Sequence, residues 1–179
     1  MVDNLFVGIA GSLLLVIGAA WPEKKSINNP RDSIKNWMFL IGNLIMLGYA
    51  LLQYLQNGVV YFVLLEILIF IATILMMLNF KDKWKAISVG ISGVFLTGWA
   101  LLLFDKMHVL IFITGLITVG LGYVFENNTL RRDVALTVGS LLIVAYSLME
   151  EEWVFFWLNL FFSIFSGYYL IRKLMLGKP

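Results

Sequence analysis

Residues 59–80 read VVYFVLLEILIFIATILMMLNF, and Glu66 is the one charged residue in this run. A membrane-spanning helix needs roughly 20 consecutive, mostly apolar residues, and this stretch meets that length. The composition extends over the whole chain, since 61% of its 179 residues are hydrophobic, 13% are charged and the mean hydropathy is +0.91. A soluble protein of this size has no core large enough to hide so much apolar surface. The sequence therefore predicts an integral membrane protein.

Continuous apolar runs favour helical spans over the strands of a membrane β-barrel, which alternate polar and apolar residues. Seven runs predict an all-α bundle with membrane helices at 4–21, 37–55, 59–80, 86–104, 107–125, 134–149 and 153–171. The first run has no basic segment before it, so we expect it to be retained as helix one rather than cleaved as a signal peptide. We expect the helices to form a single membrane domain.

The basic residues predict the orientation of the chain. Every Lys and Arg except Lys106 falls in the loops after helices one, three and five or in the C-terminal tail. The opposite loops read QNG at 56–58, DKMH at 105–108 and EEE at 150–152, and we expect the acidic run to be a solvated turn. Because basic loops stay in the cytoplasm, we predict a plasma-membrane protein with its N-terminus outside and its C-terminus inside.

Helices two and six resemble each other. Residues 41–52 read IGNLIMLGYALL and residues 138–149 read VGSLLIVAYSLM, which aligns Gly42 with Gly139 and Tyr49 with Tyr146. The alternative explanation is chance, because apolar helices built from few residue types resemble each other easily.

The helices that follow extend the likeness. Glu66 in YFVLLEILIF aligns with Asn159 in VFFWLNLFFS. Together these matches predict two related three-helix units, at about 4–80 and 107–173, joined by a linker helix at 86–104. Such a 3+1+3 arrangement is a parallel repeat of the kind known among transporters.

This layout resembles the SWEET and PQ-loop superfamily of transporters. The resemblance rests on WPEKKSI at 21–27, on GNLIMLGYAL at 42–51, and on WLNL at 157–160 followed by GYY at 167–169. The chain departs from the family where Glu23 replaces the glutamine of the PQ pair, and where Met46 and Ile143 replace the substrate-stacking tryptophan.

The resemblance also implies roles for single residues. It implies a hinge at Pro22, for which a plain helix terminator is the alternative. It further implies that Trp157 and Asn159 of the last helix bind substrate. In the third helix, Glu66 stands where the family has an asparagine.

Glu66 is the first candidate for function on its own chemistry. It lies about 10 Å into its helix, and an ionisable group at such a depth usually marks a solute pathway or a proton relay. A carboxyl there can bind solute or exchange a proton during transport. The alternative is a protonated Glu that hydrogen-bonds a neighbouring helix.

Four further side chains are candidates for substrate binding. The amide of Asn159 suits a sugar hydroxyl or an amide group, although an interhelical hydrogen bond is equally common for such a residue. Asn43 is a candidate whose alternative role is helix packing. Tyr49 and Tyr146 are candidates for lining a cavity, and their alternative role is that of interfacial aromatics.

The sequence offers little chemistry for catalysis or for metal binding. It has one histidine, His108, and no cysteine, which gives neither a nucleophile–base pair nor a metal cluster. We therefore expect no enzyme, no cofactor, no metal and no nucleic-acid partner.

The expected function is transport of a small polar solute, sugar or vitamin-like, across the lipid bilayer. The two units would rock about a central site in alternating access, either facilitatively or linked to protons. A non-transporting receptor or assembly factor and an ion channel are the alternatives, although a channel predicts more hydrophilic helix faces. A homo-oligomeric working unit stays open.

Overall fold

The computed structural model of the protein describes residues 2–21, 29–56, 58–78, 80–125 and 129–176. These residues form seven α-helices, and a short 3-10 helix at Pro30–Asp32 precedes the second of them. The helices are α1 (Val2–Ala20), α2 (Ile34–Leu55), α3 (Val60–Met77), α4 (Asp82–Leu102), α5 (Val109–Val124), α6 (Leu130–Met149) and α7 (Trp153–Leu176). The predicted all-α fold with seven helices is confirmed.

Five helices, α2, α3, α4, α6 and α7, are long and apolar enough to cross a membrane. The other two are apolar but shorter, at Asn4–Ala20 and Val109–Val124 in the parts that qualify. With these helices the chain is a multi-pass membrane protein.

Polar caps explain why two helices begin earlier than the apolar pattern predicts. Ser33 Oγ accepts a hydrogen bond from the backbone N–H of Asn36 at 3.2 Å, and Thr129 Oγ1 accepts one from Arg132 at 3.4 Å. Each cap satisfies a backbone donor that has no partner within the helix. Helix six, which looked short in the sequence, therefore gains its first turn from polar residues.

Contacts between helices divide the chain into two compact units, Met1–Lys81 and Asp82–Pro179. In the first unit, α2 packs against both α1 and α3. In the second unit, α4 packs against α5, α5 against α6, and α6 against α7. The predicted linker helix thus belongs to the second unit, where it contacts α5. The single membrane domain stays a prediction.

Candidate functional site

The first unit is built on a close crossing of α1 and α2. A Cβ atom at Gly42 would lie 2.7 Å from Cδ2 of Leu15 and 3.3 Å from the carbonyl oxygen of Gly11. These distances leave no room for a side chain, so glycine is what lets the two backbones approach. Close approach of small residues is a main source of packing between membrane helices.

The second unit repeats this crossing between α5 and α6. A Cβ atom at Gly139 would lie 2.7 Å from Cγ2 of Val119 and 3.2 Å from the carbonyl oxygen of Gly115. In the sequence match, Gly139 corresponds to Gly42. The same register places Gly115 and Val119 opposite it, as Gly11 and Leu15 lie opposite Gly42.

Further contacts of the two crossings agree residue by residue. Gly11 approaches Ile45 and Met46, and Gly115 approaches Leu142 and Ile143. Closer to the basic loops, Gly18 approaches Met38 and Phe39, and Gly122 approaches Leu136. The internal repeat predicted from a few letters of sequence is therefore present in the packing of each unit.

The paired tyrosines are fully buried, with 1% of Tyr49 and none of Tyr146 exposed. Tyr49 packs on Gly8, and its phenol oxygen accepts a hydrogen bond from Gln53 Nε2 at 2.8 Å. The ring of Tyr146 lies 5.1 Å from that of Phe112. Tyr49 thus packs between α1 and α2, and Tyr146 packs between α5 and α6.

In each unit a side-chain hydrogen bond joins two successive helices, α2 to α3 in the first unit and α6 to α7 in the second. Asn43 Nδ2 donates to Thr73 Oγ1 at 2.7 Å, and this bond is buried. In the second unit, Thr137 Oγ1 donates to Ser166 Oγ at 2.9 Å. Asn43 therefore serves helix packing. Ser166 holds the position in α7 that Thr73 holds in α3.

Glu66 lies in the second turn of α3 with 1% of its surface exposed. Its Oε2 atom is buried and has no hydrogen-bond partner in the described part of the chain. The alternative role of Glu66, a hydrogen bond to a neighbouring helix, is therefore not made by this oxygen. A buried polar atom without a partner costs free energy, so its presence calls for a proton or a ligand.

Asn159 occupies the matching position, since each residue is the seventh of its helix. It is 6% exposed, and its Nδ2 donates to the carbonyl oxygen of Phe155 at 2.9 Å. This bond lies within α7 and uses one of the two amide protons. The amide nitrogen therefore does not link two helices, and its second proton can serve a ligand.

Two other predicted residues contribute less to this site. Trp157 is 53% exposed and lies next to Phe156, with ring centroids 5.2 Å apart. Successive helical residues are about 100° apart. Trp157 is two residues before Asn159, so the two side chains leave α7 on nearly opposite sides. Pro22, the predicted hinge, lies outside the described residues.

A side-chain contact that the sequence reasoning missed joins the start of α5 to the end of α6. His108 Nε2 lies 2.5 Å from Glu150 Oε1, and the His108 ring lies 5.9 Å from the ring of Tyr146. The expectation of a fully solvated acidic turn was wrong for Glu150, whose side chain is 15% exposed. Two sequence features could have indicated this contact: the single histidine, His108, before α5, and the acidic run at 150–152 after α6.

The neighbouring acid Glu152 is affected by this arrangement. Partial burial raises the pKa of the Glu152 carboxyl, and the negative charge of Glu150 raises it further. Glu151 between them takes a left-handed backbone conformation with φ of 57°. The turn between α6 and α7 is therefore tightly constrained.

A second missed contact is an ion pair between the N-terminal end of α6 and the C-terminal end of α7. Lys173 Nζ donates to Asp133 Oδ2, and the two side chains are 23% and 9% exposed. In the first unit, Arg31 Nε donates to the carbonyl oxygen of Met77 at 3.4 Å, close to the end of α3. Basic residues that predict orientation in the sequence thus also fasten the helix ends.

Comparisons with protein families, with curated proteins and with solved structures gave no significant match.

Proposed function

We propose that the protein is a membrane transporter that moves a small polar solute by alternating access. The observation that carries this proposal is that Glu66 and Asn159 are buried at the same position, the seventh residue, of α3 and α7. Polar and ionisable side chains in the interior of membrane helices are expensive and usually mark a solute or ion pathway.

The repeated packing supports the same proposal. Helices α1 and α2 of the first unit, and α5 and α6 of the second, meet at glycines and enclose a buried tyrosine, so each two helices form a closely packed pair. Closely packed helices move as bodies rather than deform. Internal repeats with polar sites in the membrane are a common basis for alternating access.

Each of these two residues suits a polar solute within its own unit. The carboxyl of Glu66 offers Oε2, which has no hydrogen-bond partner among the described residues, and the amide of Asn159 offers a donor beyond its bond to Phe155. A solute hydroxyl, amide or amino group complements these atoms. The proposed solute class is accordingly sugar-like or vitamin-like, and transport is facilitative or linked to protons.

The proposal includes a place in the cell. The distribution of Lys and Arg supports a plasma-membrane protein with its N-terminus outside, and the motifs quoted above support a divergent member of the SWEET and PQ-loop superfamily. No catalytic role, cofactor or nucleic-acid partner forms part of the proposal.

The test is uptake into proteoliposomes of pooled labelled sugars, vitamin precursors and amino acids, with and without a pH gradient. We expect uptake of one class by the wild type and uptake reduced at least about fivefold in Asn159→Ala, because a lost hydrogen bond in a desolvated site costs about 1–3 kcal/mol. Acceleration by a pH gradient that disappears in Glu66→Gln would identify proton linkage.

Thr114→Val is the matched control. Thr114 lies on an exposed face of α5, and its hydroxyl donates to the carbonyl oxygen of Leu110 at 2.7 Å. Its removal should leave uptake unchanged. A folded preparation that takes up nothing above empty liposomes would contradict transport and favour a receptor or assembly role. Uptake that does not saturate would favour a channel.

A further inference from the structure

Two acidic side chains are buried within the described residues, and they differ in one respect. Asp133 has a cationic partner in Lys173. Glu66 is buried more deeply and has no ion-pair partner among the described residues. A carboxyl group away from water is stable only when a proton or a positive charge neutralises it. The missing partner of Glu66 is therefore a proton or a cation from solution.

The sequence around Glu66 favours an organic cation over a metal ion. Phe62 and Phe70 lie one turn before and one turn after Glu66, so all three residues share one face of α3. Aromatic faces attract ammonium groups, and quaternary ammonium ions in particular. A metal ion would require several oxygen ligands, whereas the described residues contain no group of three or more acidic, His or Cys side chains able to hold one.

The helix packed against α3 leaves this position without charge. The bond between Asn43 and Thr73 sets the register of α2 and α3. Ala50 lies seven residues after Asn43, and Glu66 lies seven residues before Thr73, so the two residues are at the same level of the two helices. Ala50 is buried at 1% exposure and adds neither charge nor hydrogen-bonding side chain.

The other titratable groups that the structure describes on α2, α3 and the 3-10 helix lie away from Glu66. Arg31 contacts the far end of α3 at Met77, about 16 Å along the helix from Glu66. Tyr49 turns its ring to Gly8 of α1 and accepts from Gln53. The remaining titratable or charged side chains of α2, α3 and the 3-10 helix are Lys35 and Asp32 at the start of α2 or before it, and Tyr54 and Tyr61 near the α2–α3 turn.

We propose that Glu66 binds a monovalent organic cation and a proton in turn. When the cation binds, the carboxyl loses its proton to water, and when the cation leaves, a proton returns. No covalent bond changes, and the net charge of the site is the same in both states. This inference rests on the proposed function: it makes the solute a small amine or quaternary ammonium compound that is exchanged for protons.

The test uses purified full-length protein in detergent and the series from tetramethylammonium to tetrabutylammonium, which varies size at constant charge. Calorimetry in weakly buffered solution measures binding, and a pH electrode measures released protons. We expect at least one ion to bind with close to one proton released per ion. Where Glu66 is protonated, the apparent affinity should fall about tenfold for each unit by which pH is lowered.

Three variants make the result specific. Glu66→Gln should lose proton release and bind at least about tenfold more weakly, whereas Glu66→Asp should retain proton release. Asp133→Asn removes the other buried acid and should behave as the wild type. Each variant is compared only if it elutes as a single species.

Binding of no ion in the series, or equal binding by Glu66→Gln and wild type, would overturn the cation site. Uptake of a neutral solute that depends on Asn159 would then still support transport. Binding that requires Glu66, combined with no uptake of that same ion into proteoliposomes, would support the cation site and contradict the transporter.

Discussion

At the scale of single residues, the buried and partly buried acidic side chains differ in whether they have a basic partner. Asp133 and Glu150, each at an end of α6, are paired with Lys173 and His108. Glu66, inside a membrane helix, has no such partner among the described residues. Ion pairs at the helix ends compensate the removal of charge from water. The absence of that compensation at one interior position is what points to a ligand.

Glu152 provides a prediction about pH. Its pKa is raised by partial burial and by Glu150, so the native state holds this proton more tightly than the unfolded chain. The free energy of unfolding should therefore increase as pH falls through the native pKa toward 4.5, and decrease as pH rises. Glu152→Gln should raise the melting temperature at neutral pH and reduce the gain seen on acidification.

Thermal unfolding in detergent between pH 4.5 and 8 measures this effect. Glu151→Gln is the control, because Glu151 is exposed in the same turn and its neutralisation should leave the pH dependence close to that of the wild type. An unchanged slope in Glu152→Gln would show that the raised pKa does not influence stability.

At the scale of helices, apolar length and spacing determined what was predictable. All seven helices appear in the predicted order, because the thickness of the bilayer sets the length of each apolar run. The ends were less predictable, since polar caps and ion pairs extend helices beyond their apolar part. Helix α7 continues to Leu176, past the predicted residue 171, and Lys173 in this extension contacts Asp133.

The sequence predicted the burial of the polar side chains in the candidate site, but not which polar side chains form hydrogen bonds between helices. Glu66 and Asn159 are buried as their positions in apolar runs suggested. Which polar groups meet across helices depends on helix rotation, which single-sequence patterns do not determine. Asn43 meets Thr73 in one unit, whereas Thr137, one turn earlier in the matching helix, meets Ser166 in the other. No residue match between the units would have indicated this shift.

The glycine crossings provide a prediction about packing. A Cβ atom in Gly139→Ala would lie 2.8 Å from the backbone nitrogen of Val119, so the two helices must separate. We expect a loss of about 1–3 kcal/mol in stability. Gly42→Ala should cost less, because its nearest contact is the flexible side chain of Leu15.

The control is Gly98→Ala, where a Cβ atom would meet nothing within 4 Å. Alanine favours helix over glycine, so this variant should be as stable as the wild type or slightly more so. Melting temperatures of the three variants in one detergent measure these differences in stability. Equal melting for Gly139→Ala and Gly98→Ala would contradict the close crossing of α5 and α6.

At the scale of the whole molecule, the chain combines a repeated helix arrangement with an uneven distribution of charge. The repeat has three helices in each unit, with the additional helix α4 in the second. Apart from Lys106, the basic residues lie between an odd-numbered helix and the next one, in the first turn of an even-numbered helix, or at the C-terminal end of the chain. A natural chain without cysteine also permits clean single-cysteine experiments on both features.

Cysteine labelling in intact cells tests the predicted orientation. A membrane-impermeant maleimide should label Gln56→Cys and Lys106→Cys, and should label Lys83→Cys and Arg131→Cys only after permeabilisation, because basic loops stay in the cytoplasm. All four positions are exposed. The reverse labelling pattern would place the N-terminus inside.

The most direct test of the central claim asks whether water reaches the buried polar pair. Glu66→Cys and Asn159→Cys would be treated with a charged methanethiosulfonate reagent, added separately from each side of oriented vesicles. Thiols react as thiolates, which form where water has access. Ile117→Cys, on an exposed apolar face of α5, is the control and should not react. A solute pathway predicts reaction at positions 66 and 159, whereas two thiols as unreactive as the one at 117 would contradict it.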